Sequence, residues 1–515
     1  MLPKKIKFNT YLIAAVILAL GLSISISAVF ATGTTGFCIG GDCVSSWAEM
    51  GSKIVTTSGQ WTTNVNNIYY NTGNVGIGTA NPGAKLEIDG NEDTTQLIVK
   101  ANATQSNTHP LIQLQKSDGT VLSSFSSDSP NNTFLGLNAG KVNNISGGPF
   151  NGQKNTFIGS NAGYSNTTGY FNSAMGGSAL YSNTTGMYNV ALGTDALNYN
   201  TTGNYNSAVG DSALFSNTSG GFNSAIGGYA LNRNSTGSNN SALGYQALAR
   251  NSTGSNNSAF GYDALLYSTG SNNSAVGMTA LLYNTGSNNS AFGTSSLYTN
   301  STGGANSAFG TSSLYTNSTG AYNSSFGYQS SRFSNGSFNS SFGMQSMYNN
   351  TSGNNNTAVG YYSLGTITSG SYNVAIGDSA GSIIFTTNGY SNNTLVGSQT
   401  GRALTTGSNN LFLGYKVGDN VASGANNIII GYDIDATSAT SANTLNIGNL
   451  IFGTGIDGAG TTVSTGNIGI GTNDPKSKLH VVGLSEYADN VDAKTAGLTV
   501  GAFYRTGDIL KVVHN

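Results

Sequence analysis

From about residue 131 to 435 the hydrophobic and polar positions recur with a fixed beat. When the chain is aligned on the glycine that closes an Asn-Ser-Ala-φ-Gly string, φ being a large apolar residue, marker glycines fall at Gly159, Gly176, Gly193, Gly210, Gly227, Gly244 and Gly261, 17 residues apart. The series continues at Gly277, Gly293, Gly310, Gly327, Gly343, Gly360 and Gly377 in steps of 16 or 17. Gly136 precedes it by 23 residues, and Gly397, Gly414 and Gly431 follow after one step of 20, making about 18 copies. Steps of 16 arise where the turn Asn-Thr-Thr-Gly has lost a residue, as at Asn284-Thr285-Gly286. Length variation confined to a turn is what a stack of coils tolerates, because the apolar columns stay in register.

Each column has its own chemistry. The residue before the marker is large and apolar (Met175, Leu192, Val209, Ile226, Leu243, Phe260), and the fourth residue after it is leucine (Leu180, Leu197, Leu214, Leu231, Leu248, Leu265). Two before the marker stands alanine (Ala174, Ala191, Ala208), and four before it asparagine: Asn172, Asn189, Asn206, Asn223 and Asn240. No helical period runs through this region. Side chains alternate along a strand, so Asn and Ala share one face while Ser and φ share the other. The pattern predicts two short strands per copy joined by Gly/Asn turns. It also predicts a core of stacked Leu, Val and Phe, with alanine facing outward. Asparagine repeated in one column can form an amide ladder along the stack. The fold class is therefore all-β: a β-solenoid of about 18 rungs and, at ~4.8 Å per rung, a rod of roughly 80–90 Å.

Composition narrows the function classes. Only 8% of the 515 residues are charged, against roughly 25% in an ordinary soluble domain. Nineteen Lys+Arg meet 21 Asp+Glu, which leaves no basic excess for nucleic acid. Carboxylates are too few for a calcium-dependent repeat. Between Ala264 and Ser331 there is no charge at all. A lone exposed rod so poor in charge self-associates readily, and small outward alanines would let a second chain pack closely. The expected partner is thus another copy, the alternative being a monomeric solenoid.

At the N-terminus Lys4, Lys5 and Lys7 precede an apolar run from Tyr11 to about Leu22, and Val29-Phe30-Ala31 offers a small-residue cleavage site. This is a secretory signal over residues 1–31. If uncleaved, Tyr11–Phe30 is long enough to anchor the chain in a bilayer, its one expected membrane contact. Cys38 and Cys43 follow in a linker over 32–71, either as a local disulfide in an oxidising compartment or as two thiols.

The Asn-Ser-Ala-φ-Gly units, as in NSAVGDSAL and NSAFGYDAL, resemble the head repeats of YadA-like trimeric autotransporter adhesins. That resemblance covers residues 131–435 and departs in period, since the family's unit is typically shorter. It implies a left-handed parallel β-roll, a homotrimer, and a cell-surface role in attachment to a protein, glycan or matrix ligand. No amphipathic barrel anchor closes this chain, so export through such a barrel does not follow. The flanks look like a second family. TGNVGIGTANPGAKLEIDG from Thr72 recurs as TGNIGIGTNDPKSKLHVVG from Thr465, a module similar to segments of bacteriophage tail fibres and related bacterial surface fibres. The organisation expected is a tail-fibre-like module over 72–130, the solenoid over 131–435, a transition over 436–464, and a second module with a cap over 465–515. Hairpins are predicted at Ser117-Asp118-Gly119-Thr120 and at Arg505–Asp508.

Chemistry is sparse. His109, His480 and His514 lie outside the array and beside no nucleophile, and two cysteines five apart make no metal set. Asp195, Asp211, Asp263 and Asp378 occupy similar columns and read as turn aspartates, although neighbouring rungs could pair carboxylates for sugar hydrolysis. No enzyme, cofactor or metal is expected. Tyr181, Phe215, Tyr298, Tyr315 and Tyr348 share the column after the leucine; aromatics in register contact a ligand, pack between subunits or cover the turn above. Two functional classes result: a secreted, oligomeric attachment fibre, or a solenoid that binds a lattice such as ice or a polysaccharide. Thr167, Thr201, Thr253 and Thr302 sit in turns of varying length, which counts against ice. A phage-type fibre is a further alternative, opposed by the export signal.

Overall fold

The computed structural model describes residues 37–39, 42–44, 62–64, 67–69, 75–77, 83–88, 97–99, 110–382, 389–507 and 509–515. Residues 1–31, read above as an export signal, most of the linker and His109 lie outside them. The chain divides into two compact units, Met1–Lys100 and Ala101–Asn515.

In the second unit the array is a parallel β-solenoid. Each copy contributes one three-residue strand ending at φ, such as Ser207–Val209, which pairs in parallel with Val190–Leu192 before it and Ser224–Ile226 after it, column on column. This stacking runs from Thr133–Leu135 to Leu445–Ile447, one rung beyond the expected end of the array. Among the described residues the predicted second strand forms only at Tyr267–Ser268, Tyr283–Asn284 and Thr299–Asn300. Two of these three segments belong to 16-residue copies. Elsewhere the same segment stacks as a turn.

Which strand face is inside differs from the expectation. Alanine points in: Ala191, Ala208, Ala225 and Ala259 are at most 1% exposed, whereas Met175, Leu192, Ile226, Leu243 and Phe260 are 42 to 50% exposed. The core is thus alanine and the fourth-position leucine, closed by asparagine, and φ lines the outer face. Alternation alone leaves the choice of face open; the width of the coil decides it. One leucine and one alanine fill each rung. Where the inner column carries Phe134, Phe157 or Phe412, the leucine position becomes Gly140, Gly163 or Gly418. A Cβ at those glycines would lie 2.9, 2.5 and 2.7 Å from the respective phenylalanine ring. Ala plus Leu and Phe plus Gly are two ways to fill one space at close-packed density.

The corner after the strand needs unusual backbone. The marker glycines have φ near +130 to +140°, and a Cβ on Gly227 would meet the Gly244 carbonyl oxygen at 2.5 Å. The core leucines are left-handed too, Leu214 at φ +51° and Leu231 at +51°. That conformation costs roughly 1–2 kcal/mol per residue, and full burial of leucine contributes about 1.5–3 kcal/mol. Burial wins, so leucine is tolerated there.

Two asparagine ladders close the interior. In the foreseen one, Asn206 donates its backbone N–H to Asn189 Oδ1 (3.0 Å) and its Nδ2 to Gly220 O (2.9 Å), while its own Oδ1 accepts from Asn223 N (3.0 Å). Asn172, Asn189, Asn223 and Asn240 repeat the arrangement, all essentially fully buried. The second ladder, seven residues after the marker, was not foreseen: Asn217 Nδ2 donates to Asn200 Oδ1 at 2.7 Å and to Gly220 O at 2.9 Å. Between Ser313 and Ser346 serine replaces inner alanine, and the hydroxyls bond one another, as in Ser325 Oγ to Ser330 Oγ at 2.8 Å.

The array has ends. A hairpin, Ile112–Gln115 with Val121–Ser126, turns at the predicted 117–120 segment and pairs antiparallel with Thr133–Leu135. At the other end Ile451–Gly453 reverses direction on Leu445–Ile447, followed by Ile468–Ile470 and Leu479–Val481. The duplicated glycine-rich motif folds the same way twice: Val75–Ile77 pairs in parallel with Leu86–Ile88 in the register that joins Ile468–Ile470 to Leu479–Val481. A short helix, Asn490–Thr495, is capped by the Asp489 carboxylate and precedes the predicted C-terminal hairpin, Phe503–Thr506 with Ile509–Val512.

Candidate functional site: the outer faces of the solenoid

Two outer surfaces carry the chemistry. On the strand face, φ forms a continuous apolar column flanked by a serine column. Phe292, Phe309, Phe326 and Phe342 stack at 4.7, 4.7 and 4.9 Å, one ring per rung. Ser207, Ser224, Ser241 and Ser258 stand beside the apolar column in the same register. Soluble monomers rarely expose a contiguous apolar strip of this length.

Around the corner runs the column that holds Tyr181, Phe215, Tyr298, Tyr315 and Tyr348. All five are half-buried. They do not form one row. Tyr181 stacks on Tyr164 (5.1 Å) and Phe215 meets Tyr199 edge-on (5.0 Å). Tyr298 and Tyr315, by contrast, belong to a longer run. The Arg250 guanidinium lies 4.6 Å from the Tyr267 ring centre; Tyr267 stacks on Tyr283 at 4.9 Å, Tyr283 meets Tyr298 at 5.6 Å, and Tyr298 stacks on Tyr315 at 4.9 Å. Arg332 sits 5.4 Å from Tyr315 and donates from Nη1 to the Tyr348 hydroxyl at 3.2 Å. Beneath the run, Ala249, Leu266 and Leu282 form a small apolar cluster against Tyr267 and Tyr298. Burial, helped by Tyr283, Tyr315 and Asp263, holds the Tyr298 phenol above its ordinary value; burial also raises the Asp263 carboxyl.

Charge is sorted by column. Of the seven Lys and Arg in residues 131–435, five fall five or six places after a marker glycine: Lys141, Arg233, Arg250, Arg332 and Arg402. Five of the seven Asp and Glu fall one or two places after it: Asp195, Asp211, Asp263, Asp378 and Asp433. Of the four exceptions, Lys416 and Asp419 each fall in the other sign's column, and Lys154 and Asp435 fall in neither. The aromatic and aspartate columns are visible in the sequence; the basic column emerges when lysines and arginines are also counted from the marker.

Asp195, Asp211, Asp263 and Asp378 do not pair with one another as an acid–base couple, whereas the Asp435 carboxyl is raised by burial and then by Asp419 on the preceding rung. Asp195 accepts from Asn198 Nδ2 at 2.9 Å, and Asp378 from Ser379 Oγ at 2.8 Å. Asp211 raises the Tyr229 phenol by its charge and by a hydrogen bond. His480 Nδ1 accepts the Lys476 N–H at 3.3 Å. No group of three His, Cys, Asp or Glu among the described residues could hold a metal ion. Some turn hydroxyls bond the next rung: Thr201 Oγ1 donates to Thr218 O at 3.0 Å and Thr218 Oγ1 to Ser235 O at 2.9 Å. Cys38 and Cys43 stand directly opposite each other in an antiparallel pair, Phe37–Ile39 with Asp42–Val44. No family model, no curated protein and no solved structure matches this chain.

Proposed function

We propose that the protein is an exported fibrous attachment protein whose solenoids associate side by side through the serine/φ strand face, three to a fibre. The observation that carries this reading is the unbroken outward apolar column. Alanine, once the reason to expect association, lies inside; the support now comes from φ. At about 25 cal/mol per Å² of apolar surface removed from water, a column repeated over so many rungs gives association a large driving force. An export signal at residues 1–31 supports a surface location. The experiment is the solution mass of the exported chain by sedimentation or light scattering. Three times the chain mass is expected, and cells lacking the protein should attach less well to surfaces. A monomer would overturn the association.

The lattice-binding reading draws on the same face, because its serine hydroxyls stand in regular register beside the apolar column. The turn threonines lend it little, since the Thr167 and Thr201 hydroxyls donate to the next rung. Its test is adsorption of the monomeric chain to ice or to insoluble polysaccharide.

A further inference from the structure

We infer that the basic, tyrosine-rich ladder five and six places after the marker glycines binds a linear polyanionic polysaccharide lying along the rod. This rests on the attachment reading and supplies its ligand class. Three observations combine. Cations are concentrated in these columns, five of the array's seven, in a region with only one acid of its own, Asp419. Arg233 and Arg250 occupy adjacent rungs, and both side chains are exposed. The stretch from Arg250 to Arg332 is bridged by Tyr267, Tyr283, Tyr298 and Tyr315 without a gap.

The arginines are held in place before any ligand arrives. Arg250 rests on Tyr267 and Arg332 on Tyr315 and Tyr348. A planar guanidinium so stacked loses little freedom on binding; the exposed Arg250 presents its N–H fork to an anionic oxygen, whereas Arg332, with Nη1 bonded to the Tyr348 hydroxyl and Nε buried, meets an anion through its remaining Nη hydrogens. Arg250 and Arg332 are five rungs apart, or about 24 Å at the strand spacing. Along that interval the ladder offers phenol hydroxyls, which both donate and accept. Sparse anions separated by hydroxyl-bearing stretches match this spacing. Nucleic acid does not, since a duplex carries a charge every ~1.7 Å. Stacked faces are covered by neighbouring rings, so the tyrosines act through their edges and hydroxyls and not as sugar platforms. In a fibre joined through the strand face, the ladder stays outside, because it lies past the corner formed by the marker glycine and the residue at +2.

The test uses the full chain with a sparsely sulfated dextran, a sparsely carboxymethylated dextran and neutral dextran, read by affinity electrophoresis or calorimetry. Binding to either anionic polymer, weakening between ~50 and ~200 mM salt and absent with neutral dextran, is expected. Which polymer binds identifies sulfate or carboxylate as the anion. Arg233→Gln with Arg250→Gln, and separately Arg332→Gln, should each weaken binding about tenfold or more, as loss of charge-assisted hydrogen bonds does. Asp211→Asn and Asp378→Asn, in the acidic columns, should not weaken it. Equal binding of neutral dextran, binding that survives both arginine changes, failure to bind either polyanion, or tighter binding to single-stranded DNA would overturn the inference. Light scattering on the same samples separates the two readings: a multimeric mass without polyanion binding sinks the ladder and leaves the fibre.

Discussion

The interior of the coil can be tested by exchanging its two filling schemes at one rung. Phe157 is fully buried, stacks on Phe134 at 5.3 Å, and lies where a Cβ on Gly163 would be 2.5 Å from its ring. Phe157→Ala leaves a cavity and should cost about 3–5 kcal/mol. Gly163→Leu adds a side chain where there is no room, at about 1–3 kcal/mol or more. Together they recreate the Ala174/Leu180 arrangement of the next rung, whose leucine already adopts φ +54°. The double variant should therefore recover most of the loss, with a coupling of at least ~2 kcal/mol. Global melting is a poor readout, since repeat arrays open in parts. Hydrogen exchange is the assay, followed at the Gly163 N–H, which donates to Ala179 O at 2.8 Å, and at Gly159 N–H, bonded to Leu135 O at 2.8 Å. Additive single effects would refute the inward placement of this column.

Other outcomes follow from the same geometry. Ser334 interrupts the second asparagine ladder and leaves both its own Oγ and Asn317 Oδ1 buried without a partner; Ser334→Asn should restore the donor and slow exchange around rungs 317–350 by about 1–3 kcal/mol. On the strand face, Phe309→Glu with Phe326→Glu should lower the solution mass toward that of one chain, and an unchanged mass would exclude this face as the contact. Tyr390 is fully buried and burial raises its phenol well above the ordinary 10.0. Because the folded state then holds the proton more tightly than the unfolded state, the contribution is complete below pH 10 and lost as pH rises beyond it. Circular dichroism should show alkaline loss of structure that Tyr390→Phe moves to higher pH. Cys38 and Cys43, opposite in register, should give no reaction with a thiol reagent until a reductant is added.

Much of the architecture is legible in the chain as written. The marker glycines, the leucine column and the asparagine column each mean one thing in a stack: a backbone that turns where only glycine fits, a side chain that fills the coil, and an amide that bonds the rung above. Asn206 and Gly210 were therefore readable as structure. The candidate surface was legible only in part. Tyr298 and Tyr315 stood out by type, but the run that joins them to Arg250 through Tyr267 and Tyr283, and to Arg332 directly, exists only once the five- and six-place columns are folded onto one edge.

Sequence by itself determined the repeat, its parallel register and the economy of charge, because these depend on spacing and composition alone. Tertiary structure decided which way each strand faces. Alternation is symmetric under a flip of the strand, and Ala208 and Val209 are both apolar, so neither a pattern nor a hydropathy value breaks the tie. Volume does. A rung already holding Leu214 has room for alanine beside it and none for valine or phenylalanine, so the larger residue is sent outward. The outcome is an apolar outer face, which the sequence places in the core and the coil leaves open to a partner.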